Sequence, residues 1–466
     1  MKKEEIHLYN IKIYNVTDKY EYNELIKIFL KPDEFTVYGD DEDIESHNDA
    51  TLIEINIDNV GDKNLIKREI YSKLSEITGQ RPAWGILTGV RPVKMTGELV
   101  EKHGDIAEVE KLLKDFYFLN DEKIQLLINT YKYQQEILGK AHEKSVGVYI
   151  GIPFCPTRCL YCSFTSNQKG PDEIERYLES LLKEIEYAGN AMKAQGIYAE
   201  SIYIGGGTPT TLSAEQLDIL ITTVKKHFDL DKCIEFTVEA GRPDTITAEK
   251  LEVISGHGIG RISINPQTMK DETLKLIGRA HTVSDIRKGF EISSSVGNFI
   301  INADLIAGLP GETAADFENT LKEVISLNPA NITVHTLAVK RASKLIEADE
   351  NYHYKQAKIV EEMLVIARDL LKEEGYKPYY LYRQKHMAGA MENVGYCKGD
   401  TPCIYNIRIM EEKQSILALG AGGISKKFYP AENRLERVPN VSNYEIYIER
   451  LDEMIERKQK NFFEEE

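Results

Sequence analysis

The chain has 466 residues, of which 42% are hydrophobic and 29% are charged, a composition typical of a globular protein of two or three domains. Asp and Glu number 75 against 58 Lys and Arg, and this acidic balance without a long basic run argues against a nucleic-acid partner. No apolar stretch reaches the roughly 18 residues of a membrane-spanning helix, and the amino terminus lacks the apolar core of a signal peptide. We therefore expect a cytoplasmic protein.

Residues 1–143 contain no cysteine and are expected to form an N-terminal α+β domain of unknown role. Hydrophobic periodicity predicts strands at 6–15 and 51–59 and helices at 21–31, 63–78, 97–115 and 121–143. Between two of these helices lies the segment RPAWGILTGVRP (81–92), which contains the only tryptophan, Trp84. We interpret this segment as a packing loop, with a ligand or partner patch as the alternative.

Residues 144–348 repeat a strand–loop–helix pattern, which predicts a parallel sheet that curls into a partial (β/α)6 barrel with an open flank. The predicted strands are 147–152, 200–204, 234–239, 260–264, 299–305 and 331–336. The predicted helices are 172–194, 214–227, 247–256, 282–295 and 313–326. Ligand-binding residues are then expected at the carboxyl ends of the strands.

Residues 349–466 are expected to form a C-terminal α+β extension. Its patterns are a helix at 351–374, a strand within 375–386, a glycine-rich turn closing 405–426 and a helix at 442–458. Cys397 and Cys403 are interpreted as incidental thiols, with a redox pair or a second metal site as alternatives. Cys233 opens an apolar strand and is expected in the core.

Three of the six cysteines lie in YIGIPFCPTRCLYCSF (149–164), where Cys155, Cys159 and Cys162 form a C-x3-C-x2-C run. A structural zinc site needs four closed ligands, and a disulfide framework belongs to small secreted domains. Three thiolates can instead bind three irons of a 4Fe–4S cube and leave the fourth iron open. An open iron indicates chelation by S-adenosylmethionine, which the reduced cluster would cleave to a 5′-deoxyadenosyl radical.

Further polar residues follow successive predicted strands. They are the Gly205-Gly206-Gly207-Thr208 turn, Glu239, Gln267, Arg279 and Asp304. Singly, a strand-end carboxylate is more often a helix cap, and an arginine is more often a solvated surface residue. Together, at the ends of strands of one barrel, they predict a ring of contacts for S-adenosylmethionine.

A basic group follows the sixth predicted strand. It comprises His335, Lys340, Arg341 and Lys344. Charge-assisted bonds from this group would suit the propionates of an acidic substrate. A solvated helix start is the equally acceptable alternative.

Taken together, YxxxPFCxxxCxYCxF, GGGTPT, SxxxQT, GRAHT, DLIxGLPGET and LGAGG resemble the oxygen-independent coproporphyrinogen III oxidase family of radical S-adenosylmethionine enzymes. The match covers about residues 146–460, and RPAWGILTGVRPVKM with the N-terminal region is similar to the HemZ branch. The resemblance implies oxidative decarboxylation of two propionates of coproporphyrinogen III to vinyls, giving protoporphyrinogen IX. It also implies reduced ferredoxin or flavodoxin as the electron donor.

By position, the resemblance makes Cys155, Cys159 and Cys162 the cluster ligands. Tyr149 and Glu239 match candidate catalytic residues, and both, with Gly206, match contacts of the first S-adenosylmethionine. Residues that match contacts of a second molecule are Tyr161, Gly207, Thr208, Gln267, Arg279, Asp304 and Val334.

Two positions depart from the family pattern. The family reads Y-x-H-x-P-F-C where this chain has Gly151, and the oxidases carry a further cysteine at the position of Phe164. A phenylalanine there is typical of the related heme chaperones, so a heme-binding protein, with His335 or His386 as a ligand, is the rival hypothesis. A third is another radical enzyme that acts on tetrapyrroles.

Overall fold

A mixed sheet of eleven strands forms the centre of the structure. The structure is a computed structural model, and it describes residues 7–16, 18–44, 50–56, 62–162, 166–338, 356–384 and 390–464. The strands are β1 (Tyr9–Ile13), β2 (Phe35–Tyr38), β3 (Thr51–Ile55), β4 (Ser145–Ile152), β5 (Tyr198–Gly206), β6 (Glu235–Glu239), β7 (Arg261–Ser263), β8 (Ile300–Ala307), β9 (Asn331–Thr336), β10 (Tyr376–Tyr382), β11 (Asn393–Lys398), β12 (Ser415–Leu419), β13 (Ile424–Tyr429) and β14 (Arg434–Pro439). The helices are α1 (Asn23–Ile26), α2 (Lys63–Thr78), α3 (Pro92–His103), α4 (Ile106–Asp115), α5 (Asp121–Ile137), α6 (Pro171–Ala194), α7 (Ala214–His227), α8 (Ala248–Gly256), α9 (Asp271–Leu276), α10 (Val283–Val296), α11 (Ala314–Ser326), α12 (Ala357–Glu373), α13 (Ile404–Glu411), α14 (Tyr444–Glu449) and α15 (Leu451–Lys458).

The strand order of the large sheet is β10-β11-β9-β8-β7-β6-β5-β4-β12-β13-β14. Strands β4 to β9 pair in parallel with their neighbours in chain order. Helices α6, α7, α8, α10 and α11 lie in the successive connections between these strands, as βαβ units require. The (β/α)6 fold class expected from the sequence is therefore confirmed.

The C-terminal region extends this sheet at both edges. Strand β12 pairs in parallel with β4, and β13 and β14 continue outward as an antiparallel meander. At the other edge, β11 pairs antiparallel with β9, and β10 pairs with β11. These strands share hydrogen bonds with the barrel, so one sheet continues across the expected domain boundary near residue 349. That boundary stays a prediction.

Two predicted helices are interrupted, and the expectation of continuous helices was wrong there. The 97–115 segment divides into α3 and α4, because Gly104 takes a left-handed φ of 77° and the Asp105 side chain then caps α4 through the Ala107 N–H. The 442–458 segment divides into α14 and α15 at Arg450. Strand β2 was not predicted, since its four residues are too few to show alternation.

The N-terminal region has its own small sheet, in the parallel order β2-β1-β3. Its core includes residues from Ile11 to Ile86, whereas apolar residues of α3, α4 and α5 belong to the core of the large sheet. Helix α5 also covers β10, where Gln134 Nε2 donates to the Tyr379 carbonyl at 2.8 Å. The predicted boundary at residue 143 stays a prediction, and the two cores favour a division closer to residue 87.

A buried ionic network fixes the C-terminal elements against α6. Glu184 Oε1 accepts from Lys458 Nζ at 2.7 Å and from Asn440 Nδ2 at 2.9 Å. Its Oε2 accepts from the Gly420 N–H at 2.7 Å and the Tyr447 hydroxyl at 2.6 Å. Because both charged side chains are fully buried, the pair is stabilising only while every partner is present.

We expect Lys458→Met to destabilise the protein by about 3–5 kcal/mol, because it leaves the Glu184 carboxylate buried and unpaired. Differential scanning calorimetry on the purified full chain measures the loss as a fall in Tm. Lys322→Met is the matched control, since Lys322 pairs with Glu318 on an exposed helix surface and its loss should cost at most about 0.5 kcal/mol. Equal falls in Tm for the two variants would contradict the assigned role of the network.

Candidate functional site

The two faces of strands β4 to β9 differ in chemistry. Val148 and Ile150 of β4 and Ile202 and Ile204 of β5 are fully buried in the hydrophobic core. Because side chains alternate along a strand, the residues between them lie on the opposite face, which we call the lumen. The carboxyl ends of the parallel strands open on one end of this lumen.

Several buried polar atoms on and beyond β5, β6 and β7 have no hydrogen-bond partner within the described structure. They are Ser201 Oγ, Thr237 Oγ1, Ser263 Oγ, Asn265 Oδ1 and Gln267 Oε1. Buried polar groups are almost always paired in folded proteins, because an unpaired one costs free energy. Their concentration in consecutive barrel strands therefore indicates a polar ligand in the lumen.

The cysteine loop leaves β4 and is fixed by backbone hydrogen bonds on both sides. The Cys155 N–H donates to the Asn167 carbonyl at 3.0 Å, and the Cys162 N–H donates to the Cys159 carbonyl at 3.2 Å. The Leu160 N–H donates to the Ile277 carbonyl at 3.0 Å, which ties the loop to the segment after α9. The predicted cluster residues are thus presented together at the carboxyl end of β4.

The three sulfurs lie close enough to influence one another's ionisation. Burial raises the pKa of the Cys155 thiol to about 11, and the adjacent Cys162 and Cys159 contribute in the same direction. All six cysteines are free thiols. Within the described ranges, no group of three or more His, Cys, Asp or Glu side chains converges closely enough to hold a single metal ion. A 4Fe–4S cube does not need such convergence, because each thiolate binds a different iron.

Arg242 was missed by the sequence analysis. It is 4% exposed, and its Nη1 lies 3.9 Å from Cys159 Sγ, while its Nη2 donates to Thr157 Oγ1 at 3.0 Å. Asp244 holds the guanidinium in place at 3.1 Å. A buried cation beside a thiolate ligand would offset the negative charge of a cluster. Its position in EAGRPD, three residues beyond the strand-end Glu239, is the feature of the sequence that could have identified Arg242 as a site residue.

The glycine turn after β5 lies directly against the cysteine loop. Gly206 has a φ of 115°, a backbone conformation that favours glycine. A Cβ on Gly207 would lie 2.5 Å from the Phe154 carbonyl oxygen and 2.9 Å from Cys155 Sγ. The Thr208 hydroxyl donates to Cys155 Sγ at 3.4 Å. The turn and the cluster loop therefore form one unit in which no side chain fits between them.

Glu239 ends β6 and reaches into the lumen beside the glycine turn. Its Oε1 accepts a hydrogen bond from the Tyr203 hydroxyl at 2.5 Å. Burial is the main cause that raises the pKa of Glu239 to about 7, and the Asp304 carboxylate adds to it, while the bond from Tyr203 acts in the opposite direction. Tyr149 of β4 stacks on Tyr203 with ring centroids 6.3 Å apart. The structure thus brings both candidate catalytic residues, Tyr149 and Glu239, to one place.

Gln267 and Arg279 border the same lumen. Gln267 is held at a φ of 68°, and its N–H donates to the Asp304 carbonyl at 2.9 Å. Arg279 is buried, donates to the Asn265 carbonyl at 2.7 Å and donates to the Tyr161 hydroxyl at 3.2 Å. The left-handed backbone of a non-glycine residue is typical of functional sites.

Asp304 is paired with a histidine. Asn302 Nδ2 donates to Asp304 Oδ1 at 2.8 Å, and His335 Nε2 lies 3.6 Å from Oδ2. Although burial opposes ionisation, these partners lower the pKa of Asp304 below its usual value. His335 Nδ1 lies 3.3 Å from the Tyr382 hydroxyl, so both ring nitrogens have neighbours. Val334 is fully buried in the core, which leaves only its backbone for a contact in the lumen.

The remaining candidates lie elsewhere or outside the described residues. Cys403 is buried against Glu235, Cys397 lies 3.2 Å from the Tyr133 hydroxyl, and Cys233 is partly buried against the core. Trp84 is buried and donates to Glu392 at 2.7 Å. The positions that fall outside the described residues are Phe164, Lys340, Arg341, Lys344 and His386.

A partial (β/α)6 barrel with a C-x3-C-x2-C loop after its first strand defines a radical S-adenosylmethionine protein, and residues 149–324 match the Radical SAM superfamily. The fold implies a 4Fe–4S cluster and S-adenosylmethionine. The chain is 40% identical over 403 residues to the oxygen-independent coproporphyrinogen-III oxidase-like protein HemZ of Bacillus subtilis, covering 85% of this chain and 80% of that protein. It belongs to this coproporphyrinogen-III oxidase-like family, as the motifs predicted.

The chain is also similar to two other proteins. It is 37% identical over 196 residues to the heme chaperone HemW of Bacillus subtilis, covering 41% of this chain and half of the chaperone. The structure of coproporphyrinogen III oxidase (HemN) from Escherichia coli aligns with a TM-score of 0.53 at 22% identity, over 69% of this chain and 72% of that one. That likeness shows the fold. Among the described helices, none has the length and apolar composition needed to cross a membrane.

We expect Gly207→Ala to lose most of the reconstituted cluster, because its Cβ would meet the Phe154 carbonyl and Cys155 Sγ. Iron and sulfide content and the visible absorbance of the anaerobically reconstituted protein measure the loss. Gly260→Ala is the matched control, since nothing lies within 4 Å of a Cβ built there. Wild-type iron content in Gly207→Ala would show that the contact with the cysteine loop is not required.

Glu239→Gln should change how stability depends on pH in the cofactor-free protein. The folded pKa of about 7 exceeds the value of about 4.3 expected for an unfolded glutamate, so the native state binds more protons between these values. The contribution of Glu239 to stability therefore falls as pH rises through this window. The Tm of Glu239→Gln minus that of wild type should grow from about pH 5 to about pH 8.

Thermal unfolding monitored by circular dichroism at several pH values measures this difference. Glu318→Gln, which alters an exposed carboxylate on α11, should give a difference that barely changes with pH. A flat difference for Glu239→Gln would contradict the raised pKa.

Proposed function

We propose that this protein catalyses the radical oxidative decarboxylation of coproporphyrinogen III propionates to vinyls, giving protoporphyrinogen IX in oxygen-independent heme synthesis. The observation that carries the proposal is the polar lumen, in which unpaired buried atoms and Glu239 lie beside a three-cysteine loop. The match to an oxidase-like relative over most of both chains supports it. A cytoplasmic location is part of the proposal.

In this proposal, Cys155, Cys159 and Cys162 hold the cluster, with one iron left open. Tyr149 and Glu239, with the Gly206 backbone, hold a first S-adenosylmethionine. The residues proposed for a second molecule are Tyr161, Gly207, Thr208, Gln267, Arg279 and Asp304. An equilibrium binding measurement of the stoichiometry would distinguish one bound S-adenosylmethionine from two.

When bound and reduced, the cluster and S-adenosylmethionine would supply a 5′-deoxyadenosyl radical that removes one hydrogen atom from the propionate β-carbon. The substrate radical left behind would lose CO2 and pass one electron to a one-electron acceptor, which would form the vinyl double bond. Reduced ferredoxin or flavodoxin would supply the electron to the cluster. The chain's own contribution is to hold the cofactor and to exclude water from the lumen, since buried polar contacts are strongest there.

A heme chaperone is the second candidate, because the match to HemW is 37% identical and because Phe164 is the residue type that is typical of the chaperones at this position. The structure weighs against His335 as its heme ligand. The imidazole lies between Asp304 at 3.6 Å and the Tyr382 hydroxyl at 3.3 Å, so iron ligation would require breaking one of these contacts.

The test is an anaerobic incubation of reconstituted protein with dithionite, S-adenosylmethionine and coproporphyrinogen III. We expect 5′-deoxyadenosine, CO2 and protoporphyrinogen, quantified by chromatography and mass spectrometry. Cys159→Ala should abolish all three, whereas Cys397→Ala, at a buried thiol outside the cluster loop, should retain them.

Two other outcomes would replace the proposal. Deoxyadenosine without CO2, together with a Soret shift on heme titration, would indicate a heme-handling protein. Deoxyadenosine with a product of different mass would indicate another radical enzyme acting on tetrapyrroles.

A further inference from the structure

The hydrogen bond between Tyr203 and Glu239 joins two neighbouring strands within the proposed cofactor site. Tyr203 lies in β5, two residues before the glycine turn, and Glu239 is the last residue of β6. No sequence motif drew attention to Tyr203, because it precedes the glycine run and resembles any apolar strand residue.

Gly205 makes room for this pair. A Cβ at position 205 would lie 2.7 Å from Cε1 of the Tyr203 ring and 3.1 Å from the carboxyl carbon of Glu239. The absence of a side chain lets the phenol and the carboxylate meet above the strand. The first glycine of the turn therefore serves the Tyr203–Glu239 contact, whereas Gly207 serves the cysteine loop.

The Tyr203 ring packs in a cluster with two other tyrosine rings, whose centroids lie 6.3 Å from each other. It stacks on Tyr149 of β4 and on Tyr405 of α13, with centroid distances of 6.3 and 4.9 Å. Tyr405 is itself fixed, because Glu235 Oε1 and Oε2 accept from the N–H groups of Tyr405 and Ile404 at the start of α13, at 3.0 and 2.8 Å. Packing against two neighbouring rings limits how far the Tyr203 ring, and with it the hydroxyl, can move.

The groups that face Glu239 are the three tyrosine hydroxyls of Tyr149, Tyr203 and Tyr405 and the carboxylate of Asp304. None of these four is a cation, and Asp304 repels a second negative charge. The donors to the Glu239 carboxylate are the Tyr203 hydroxyl and the Gly206 N–H. Removing one donor of two would favour the protonated form of Glu239.

We infer that Tyr203 is a positioning residue that orients Glu239 and favours its ionised form, and so sets the pH range in which S-adenosylmethionine binds. The inference rests on the proposed cofactor role of Glu239. A sulfonium cation with a hydroxyl-bearing ribose binds an ionised carboxylate better than a neutral one.

The test compares wild type, Tyr203→Phe and Tyr405→Phe, each reconstituted with its cluster, by calorimetric titration with S-adenosylmethionine under argon from about pH 6 to about pH 8.5. Wild-type affinity should rise with pH around about pH 7, where Glu239 ionises. Tyr203→Phe should bind about tenfold more weakly near neutral pH, with the rise moved to higher pH.

Tyr405→Phe removes a hydroxyl from the same stack without removing the bond to Glu239, so its midpoint should match wild type. An unchanged midpoint in Tyr203→Phe would overturn the inference and leave the proposed cofactor site intact. Failure of wild type to bind S-adenosylmethionine at any pH would overturn the proposed function and, with it, this inference.

A second readout needs no cofactor. In the cofactor-free protein, the Tm loss caused by Tyr203→Phe should grow with pH up to about pH 8, because Glu239 then ionises without its donor. In the Glu239→Gln background the same substitution should cost an amount that does not change with pH. A pH-independent cost in both backgrounds would show that Tyr203 merely packs, and would contradict the inference.

Discussion

The close approach of the β5 glycine turn to the β4 cysteine loop is the constraint on which the site depends. Gly207 leaves no room for a side chain between its backbone and Cys155 Sγ, so the two loops are in direct contact. The parallel register of β4 and β5 brings their carboxyl ends level, with Gly151 opposite Gly205. One pair of strands therefore positions both the cysteine loop and the glycine turn.

The lumen contains polar groups whose burial costs stability and which are available to bind a ligand. Polar atoms such as Ser263 Oγ and Gln267 Oε1 are buried without partners, and Glu239 is held near a carboxylate of like charge. Such an arrangement persists because the surrounding fold over-determines it. The apolar faces of the barrel strands pack beneath helices, and the Glu184 network fixes the C-terminal elements outside the barrel.

Much of this was readable from sequence, and the remainder was not for physical reasons. Strand and helix periodicity predicted the βα units closely, and motif spacing predicted which residues gather at the strand ends. Arg242 was not predicted as a site residue because a charged residue after a strand is usually solvated, and only tertiary folding brings it to Cys159. The contact of Tyr203 with Glu239 was not predicted because it depends on which face of β5 points into the lumen. The edge positions of β10 to β14 were also hidden, since strand order is not encoded in local pattern.

In the proposed site, the three cysteines hold a 4Fe–4S cube whose open iron meets S-adenosylmethionine placed by the lumen. Electron paramagnetic resonance of the reduced, reconstituted protein tests it most directly, because a ligand on the open iron alters the cluster signal. Adding S-adenosylmethionine should shift the spectrum of wild type, and the shift should be much weaker in Glu239→Gln. A cluster signal that is identical with and without S-adenosylmethionine in wild type would contradict it.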